Sequence, residues 1–209
     1  MHQKEIVFTG KKLDDAKKAL IMLHGRGASA EDILRLKPHL RLDEFAVLAP
    51  QATNHTWYPY SFLVPRKQNE PWLSSAIDLI TELVHDINNA GIIKENIYFL
   101  GFSQGACLAL EYIARHATKW GGAVAFTGGL IGDKVFTDTY TGDFQGTPIF
   151  IGTSNPDPHV PVERVNETTL LLKKMNASVT EKVYQNMGHT INEDEIELAN
   201  KLVFSGKDI

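Results

Sequence analysis

The sequence predicts an α/β domain built on a mostly parallel central sheet with helices on both faces. Three observations carry this reading. Short β-rich runs alternate with longer helix-like stretches, the pattern of parallel strands joined by crossover helices. The 209 residues are 43% apolar and 22% charged, which is enough to bury a core and corresponds to one domain, 1–209. No repeat, low-complexity tract or linker-like segment divides the chain.

In chain order, the first strand expected is Ala19–His24. Ser29-Ala30-Glu31-Asp32 then places a hydroxyl cap before an acidic first turn, which suits the positive end of a helix. Ile33, Leu36 and Leu40 continue that helix at helical spacing. Phe45–Ala49 is the next strand, followed by an irregular stretch from Pro50 to Glu70 that is long for a compact domain. Pro71 opens a helix whose buried stripe is Ala76, Ile77, Ile80, Leu83, Val84 and Ile87, and Gly91 stops it. Asn96–Leu100 is a strand, and Ala106–Ala114 reads as a strong helix. Strands Gly122–Phe126 and Pro148–Ile151 flank a loop-rich stretch, Gly128–Gly146, with at most a short turn of helix. Pro161 starts a helix with Val165, Thr168, Thr169 and Leu172 on one face. Ser178–Val183 is the last strand, and Asn192 caps the last helix.

Composition excludes several classes. The formal net charge of −4, with no polybasic stretch, argues against a nucleic-acid partner. A single cysteine, Cys107, rules out an internal disulfide framework and a multi-cysteine zinc site. No run approaches the roughly 18 apolar residues of a membrane helix, so no stable membrane insertion is expected. Met1-His2-Gln3-Lys4-Glu5 lacks the apolar core of a signal peptide. These features predict a cytoplasmic location.

The chemistry is concentrated in Gly101-Phe102-Ser103-Gln104-Gly105, a G-x-S-x-G pattern between a strand and a helix. A sharp turn there lifts the Ser103 hydroxyl clear of the sheet, and the glycines let strand and helix pass closely. A serine needs a base, expected C-terminal to it with an acid in between. Of His116, His159 and His189, only His189 follows the last strand in a loop at its C-terminal end, where open α/β sheets place ligands. Asp157 is the matching acid. It follows a strand in a proline-stiffened loop, whereas Asp133, Asp138 and Asp143 lie in the irregular stretch. His159 reads as a neighbouring loop residue. An oxyanion hole needs two backbone N–H groups. Gln104 supplies one, and Arg26, in His24-Gly25-Arg26-Gly27 after the first strand, supplies the other. His24 reads as a structural hydrogen-bonder and Cys107 as a small buried residue.

These motifs, together with Asp157-Pro158-His159-Val160-Pro161 and Gly188-His189-Thr190-Ile191, resemble the phospholipase/carboxylesterase family of α/β-hydrolases, which includes the acyl-protein thioesterases. The resemblance is greater to bacterial esterase members. It implies an α/β-hydrolase fold with no separate lid domain, a Ser103–Asp157–His189 triad and oxyanion donors at Arg26 and Gln104. It also implies hydrolysis of small-molecule ester or thioester substrates without metal or cofactor, and a possible homodimer. Two positions depart from the family pattern. Ala106 stands where a second glycine is common, and Arg26 stands where the eukaryotic thioesterases carry an apolar residue. A cation at the rim would favour a substrate with an anionic or polar part. Trp57, Tyr58 and Phe62, in the loop after the second predicted strand, are expected to wall an acyl pocket. A lysophospholipase, a dienelactone-type hydrolase, a peptidase and a non-catalytic binding module on the same fold remain alternatives.

Overall fold

The structure, a computed structural model, describes residues 1–205. Seven strands form one sheet in the order β1-β3-β2-β4-β5-β6-β7: β1 (Ile6–Gly10), β2 (Lys18–Leu23), β3 (Phe45–Pro50), β4 (Ile97–Phe102), β5 (Gly122–Phe126), β6 (Pro148–Asn155) and β7 (Ser178–Gln185). All six predicted strands are present, and every pairing among them is parallel. β1 is the addition. It pairs antiparallel on the outer side of β3, with Phe8 62% exposed. A five-residue edge strand has one unpaired flank and half-exposed side chains, so its local apolar signal is weak.

Helices α2 (Trp72–Asn89), α3 (Gln104–Arg115) and α4 (Val162–Lys174) cover one face, where their buried residues join Ala19, Ile21 and Leu23. Helices α1 (Ala30–Leu34) and α5 (Glu193–Ala199) cover the other, with Leu20, Met22, Leu100 and Phe150. Strand β2 therefore buries both faces from Ala19 to Leu23, which explains its unbroken apolar run. Both predicted caps form. Ser29 accepts from the Asp32 amide and Asn192 from the Glu195 amide, each in a reciprocal capping box. Helix α1 is shorter than its apolar spacing implies, because Pro38 has no N–H to give the Leu34 carbonyl and its ring crowds that carbonyl. A 3₁₀ turn, Lys37–His39, takes over there, and Leu40 is still buried. Among the described residues, no helix is long and apolar enough to cross a membrane.

The five central parallel strands run the same way, so their C-terminal ends share one edge of the sheet. That edge carries the loops after β2, β3, β4, β5 and β6, and β7 adds the sixth.

Candidate active site

Ser103 follows β4 directly, with φ 54° and ψ −117°. This left-handed backbone is costly for a residue with a Cβ. Regular structure on both sides imposes it. The Ser103 amide donates to the Phe126 carbonyl on β5 (3.0 Å), and α3 starts at the next residue. The flanking glycines are needed for space. A Cβ on Gly105 would collide with the Leu23 carbonyl oxygen, and one on Gly101 with that of Gly105.

The structure brings Ser103, His189 and Asp157 together from three loops. Ser103 Oγ lies 2.8 Å from His189 Nε2, and His189 Nδ1 lies 2.8 Å from Asp157 Oδ2. Oδ1 accepts from the His159 and Val160 amides, both at 2.8 Å. Burial alone would raise the Asp157 pKa, but hydrogen bonds from the His159 amide, the His189 ring and the Val160 amide together hold it below the usual carboxylate value. An ionised carboxylate can only accept, so His189 Nδ1 carries the proton and Nε2 is free to accept from the serine hydroxyl. The Phe102 ring lies 5.1 Å from the imidazole and the His159 ring 4.8 Å. Ser154 ties the two loops together: its Oγ accepts from the Gly188 amide (2.9 Å) and donates to the Pro156 carbonyl (3.0 Å). Neither Ser154 nor Phe102 stands out in the sequence as a site-building residue.

The Arg26 and Gln104 amides meet no acceptor among the described residues. Gln104 is the first residue of α3, where an amide lacks an intrahelical partner and the helix dipole favours negative charge. His24 is fully buried. Its Nδ1–H donates to the Gly25 carbonyl (2.7 Å) and its Nε2 accepts the Ala52 amide (3.1 Å). Burial holds it below the ordinary histidine pKa. His116 closes α3 with its ring on the Tyr112 carbonyl, away from the cleft.

A cleft of about 470 Å³ opens beside Ser103, lined among others by Arg26, Tyr58, Tyr60, Phe62, Phe102 and His159. Tyr58 and Phe62 line it as expected. Trp57 does not. It is fully buried behind the wall, donating from Nε1 to the His24 carbonyl (2.9 Å), with its ring 5.0 Å from that of His24. Arg26 also lines the cleft, a cation at the rim as expected. Its guanidinium donates to the Pro59 carbonyl (2.8 Å) and the Tyr60 carbonyl (2.6 Å), so two of its five N–H groups are spent on the chain's own loop. Cys107 reaches the cleft wall, but burial pushes its thiol up to about 12, leaving it protonated and a poor nucleophile. Among the described residues, no cluster of His, Cys, Asp and Glu is arranged to hold a metal ion.

The chain resembles known proteins along nearly its whole length. Residues 4–204 match the family model described as Phospholipase/Carboxylesterase. The chain is 54% identical to a phospholipase/carboxylesterase from Dyadobacter fermentans DSM 18053, whose crystal structure superposes with a TM-score of 0.96 over 98% of each chain. It is 28% identical over 204 residues to acyl-protein thioesterase 1 of Candida albicans, covering 87% of this chain and 88% of that one. It is 26% identical over 200 residues to a probable carboxylesterase SOBER1-like of Arabidopsis thaliana, covering 87% and 76%.

Proposed function

The chain belongs to the phospholipase/carboxylesterase family, and from that premise we propose that it hydrolyses carboxylic esters and thioesters through a Ser103–His189–Asp157 triad and an acyl-enzyme. That it is an esterase-type hydrolase follows from the family; the residue roles and the intermediate are the proposal. The observation that carries it is the unbroken hydrogen-bond relay from Ser103 Oγ through His189 to Asp157, with both links at 2.8 Å.

His189 Nε2 removes the Ser103 proton as Oγ attacks the substrate carbonyl. The tetrahedral intermediate places its oxyanion against the Arg26 and Gln104 amides, which meet no acceptor among the described residues. Asp157 stabilises the imidazolium without taking its proton. His189 then gives the proton to the departing alcohol or thiol, leaving an ester on Ser103. Water, deprotonated by the same imidazole, attacks that ester and releases the acid. The cleft lined by Tyr58, Tyr60, Phe62 and Phe102 offers the acyl group an apolar wall. Ester, thioester and lysophospholipid substrates all fit this chemistry.

A fluorophosphonate probe is expected to label Ser103 stoichiometrically and to abolish ester hydrolysis. Ser103→Ala is expected to stay folded and lose on the order of 10⁴-fold or more in kcat. A folded wild-type protein that neither reacts with the probe nor hydrolyses p-nitrophenyl esters would be a binding module instead.

A further inference from the structure

The segment from Thr56 to Phe62 forms a wall of the cleft yet belongs to no strand or helix. Its position is fixed by side chains arriving from elsewhere. Three consecutive carbonyls are gripped in this way. The Tyr58 carbonyl accepts from Gln104 Nε2 (2.8 Å), the Pro59 carbonyl from Arg26 Nη1 (2.8 Å) and the Tyr60 carbonyl from Arg26 Nη2 (2.6 Å). Gln104 Oε1 also accepts from the Trp57 amide (2.9 Å) and the Thr56 hydroxyl (3.2 Å). The two residues proposed as oxyanion donors thus hold the cleft wall with their side chains. Gln104 grips the buried base of the loop, Trp57 and Tyr58. Arg26 grips its exposed tip, Pro59 and Tyr60.

We propose that the Arg26 side chain is a positioning residue that sets acyl-chain selection by strapping the Pro59–Tyr60 tip against the cleft. The inference rests on the esterase reading above. A guanidinium holds two adjacent carbonyls at a fixed separation because its donors form a rigid fork, which an ammonium lacks. With the strap in place, Tyr58, Pro59 and Tyr60 stand at one distance from Ser103, and the cleft has one width. Without it the tip keeps, among the described residues, Asn69, which accepts from the Tyr60 amide (2.9 Å) and donates to the Ser61 carbonyl (3.0 Å), and is flanked by the Tyr58 carbonyl held by Gln104 and the Phe62 carbonyl held by the Gly132 amide. The tip then relaxes outward. Short acyl chains lose contact with the wall, while longer ones gain room.

The test measures kcat and KM for p-nitrophenyl esters from acetate to octanoate with wild type, Arg26→Leu, Arg26→Gln and Arg26→Lys. Thermal melting and fluorophosphonate labelling are followed on each variant. Arg26→Leu is expected to move the chain-length optimum at least two carbons longer. For the ester that wild type prefers, kcat/KM falls about tenfold, carried mainly by KM. Gln and Lys, which can meet one carbonyl, should fall between Leu and wild type and keep the test available if the Leu variant melts early. A uniform fall at all chain lengths, or an unchanged profile, overturns the strap. If wild type itself neither labels nor hydrolyses any ester, the esterase reading fails instead.

Discussion

The turn at Ser103 and the loop from Thr56 to Phe62 border the same cleft, and they are held in opposite ways. The turn is fixed by close packing. A strand and a helix press on it from either side, and its glycines leave no room for a Cβ. The loop anchors Trp57, Tyr58 and Phe62 in the core, but its irregular backbone is held by polar contacts reaching in from Arg26, Gln104 and Asn69. The stretch facing it, from Leu130 to Gly132, is tied down in the same manner. The Arg164 guanidinium donates to the Leu130 and Gly132 carbonyls, Arg66 Nε to the Ile131 carbonyl, and the Ile131 amide to Glu111. Packed turns should fail by steric collision and lose stability and chemistry together. Bonded loops should fail by losing partners, which loosens the wall while the nucleophile stays in place.

The sharpest way to break that contrast is Gly105→Ala. The added methyl meets the Leu23 and His24 carbonyl oxygens, which are backbone and cannot swing aside. The cost should exceed the roughly 1–3 kcal/mol of ordinary overpacking, with fluorophosphonate labelling falling in parallel. A stable, fully reactive Gly105→Ala protein would show that packing does not define the turn. On the bonded side, the keystone is Glu111, a fully buried carboxylate on α3. It accepts from Arg115 Nε (2.7 Å) and the Tyr140 hydroxyl (2.8 Å) and lies 3.5 Å from Arg66. Glu111→Ala strands the Ile131 amide and two arginines, and about 3 kcal/mol should be lost in urea unfolding. The protein that remains folded should still label at Ser103.

A buried carboxyl lies beside the packed region. Glu195 is buried opposite Gly152, its Oε2 capping α5 through the Asn192 amide (2.9 Å) and its Oε1 unpartnered among the described residues. Burial raises its pKa to about 7, against a lowering effect of the Asn192 amide. Between about pH 4.5 and 7 the folded chain keeps a proton that the unfolded chain has released. This contribution to stability is therefore full below pH 4.5 and declines as pH rises to 7. Glu195→Gln keeps the cap acceptor and removes the titration. Its stability relative to wild type should grow by about 2 kcal/mol from pH 5 to pH 8. A difference that does not change with pH would mean the carboxyl ionises freely where it sits.

The same contrast decides what was legible in the sequence. The turn, the strands feeding it and both helix caps are local: glycine spacing, a cap residue and its acid three positions on, and apolar runs are written within a dozen residues. Ser103, Asp157 and His189, the proposed triad, could be picked out because they lie one, two and four residues past the ends of β4, β6 and β7, in an order the fold constrains. The loop wall could not be read in this way. Arg26 and Pro59 are 33 positions apart, and nothing in either neighbourhood marks the pairing. The sequence places the Arg26 charge at the rim, where it is, and does not show that two of its donors hold a carbonyl pair. Strand β1 was missed for a related reason, since an edge strand draws its pairing from β3 and carries little pattern of its own.

Trp57 gives the smallest effect and the cleanest separation of wall from support. An aromatic in a loop beside the cleft reads from sequence as a substrate contact, yet Trp57 is fully buried with its indole N–H on the His24 carbonyl. Its amide bond to Gln104 Oε1 uses backbone, so a substitution leaves that link in place. Trp57→Phe removes one neutral buried hydrogen bond and leaves the His24 carbonyl without this donor, a cost of about 1–2 kcal/mol. Because Tyr58 and Phe62, and not Trp57, line the cleft, kcat/KM should change less than about threefold, with the acyl-length profile unmoved. Kinetics on the graded esters beside urea unfolding will check both halves. A shifted chain-length optimum at wild-type stability would place the indole in the acyl wall after all.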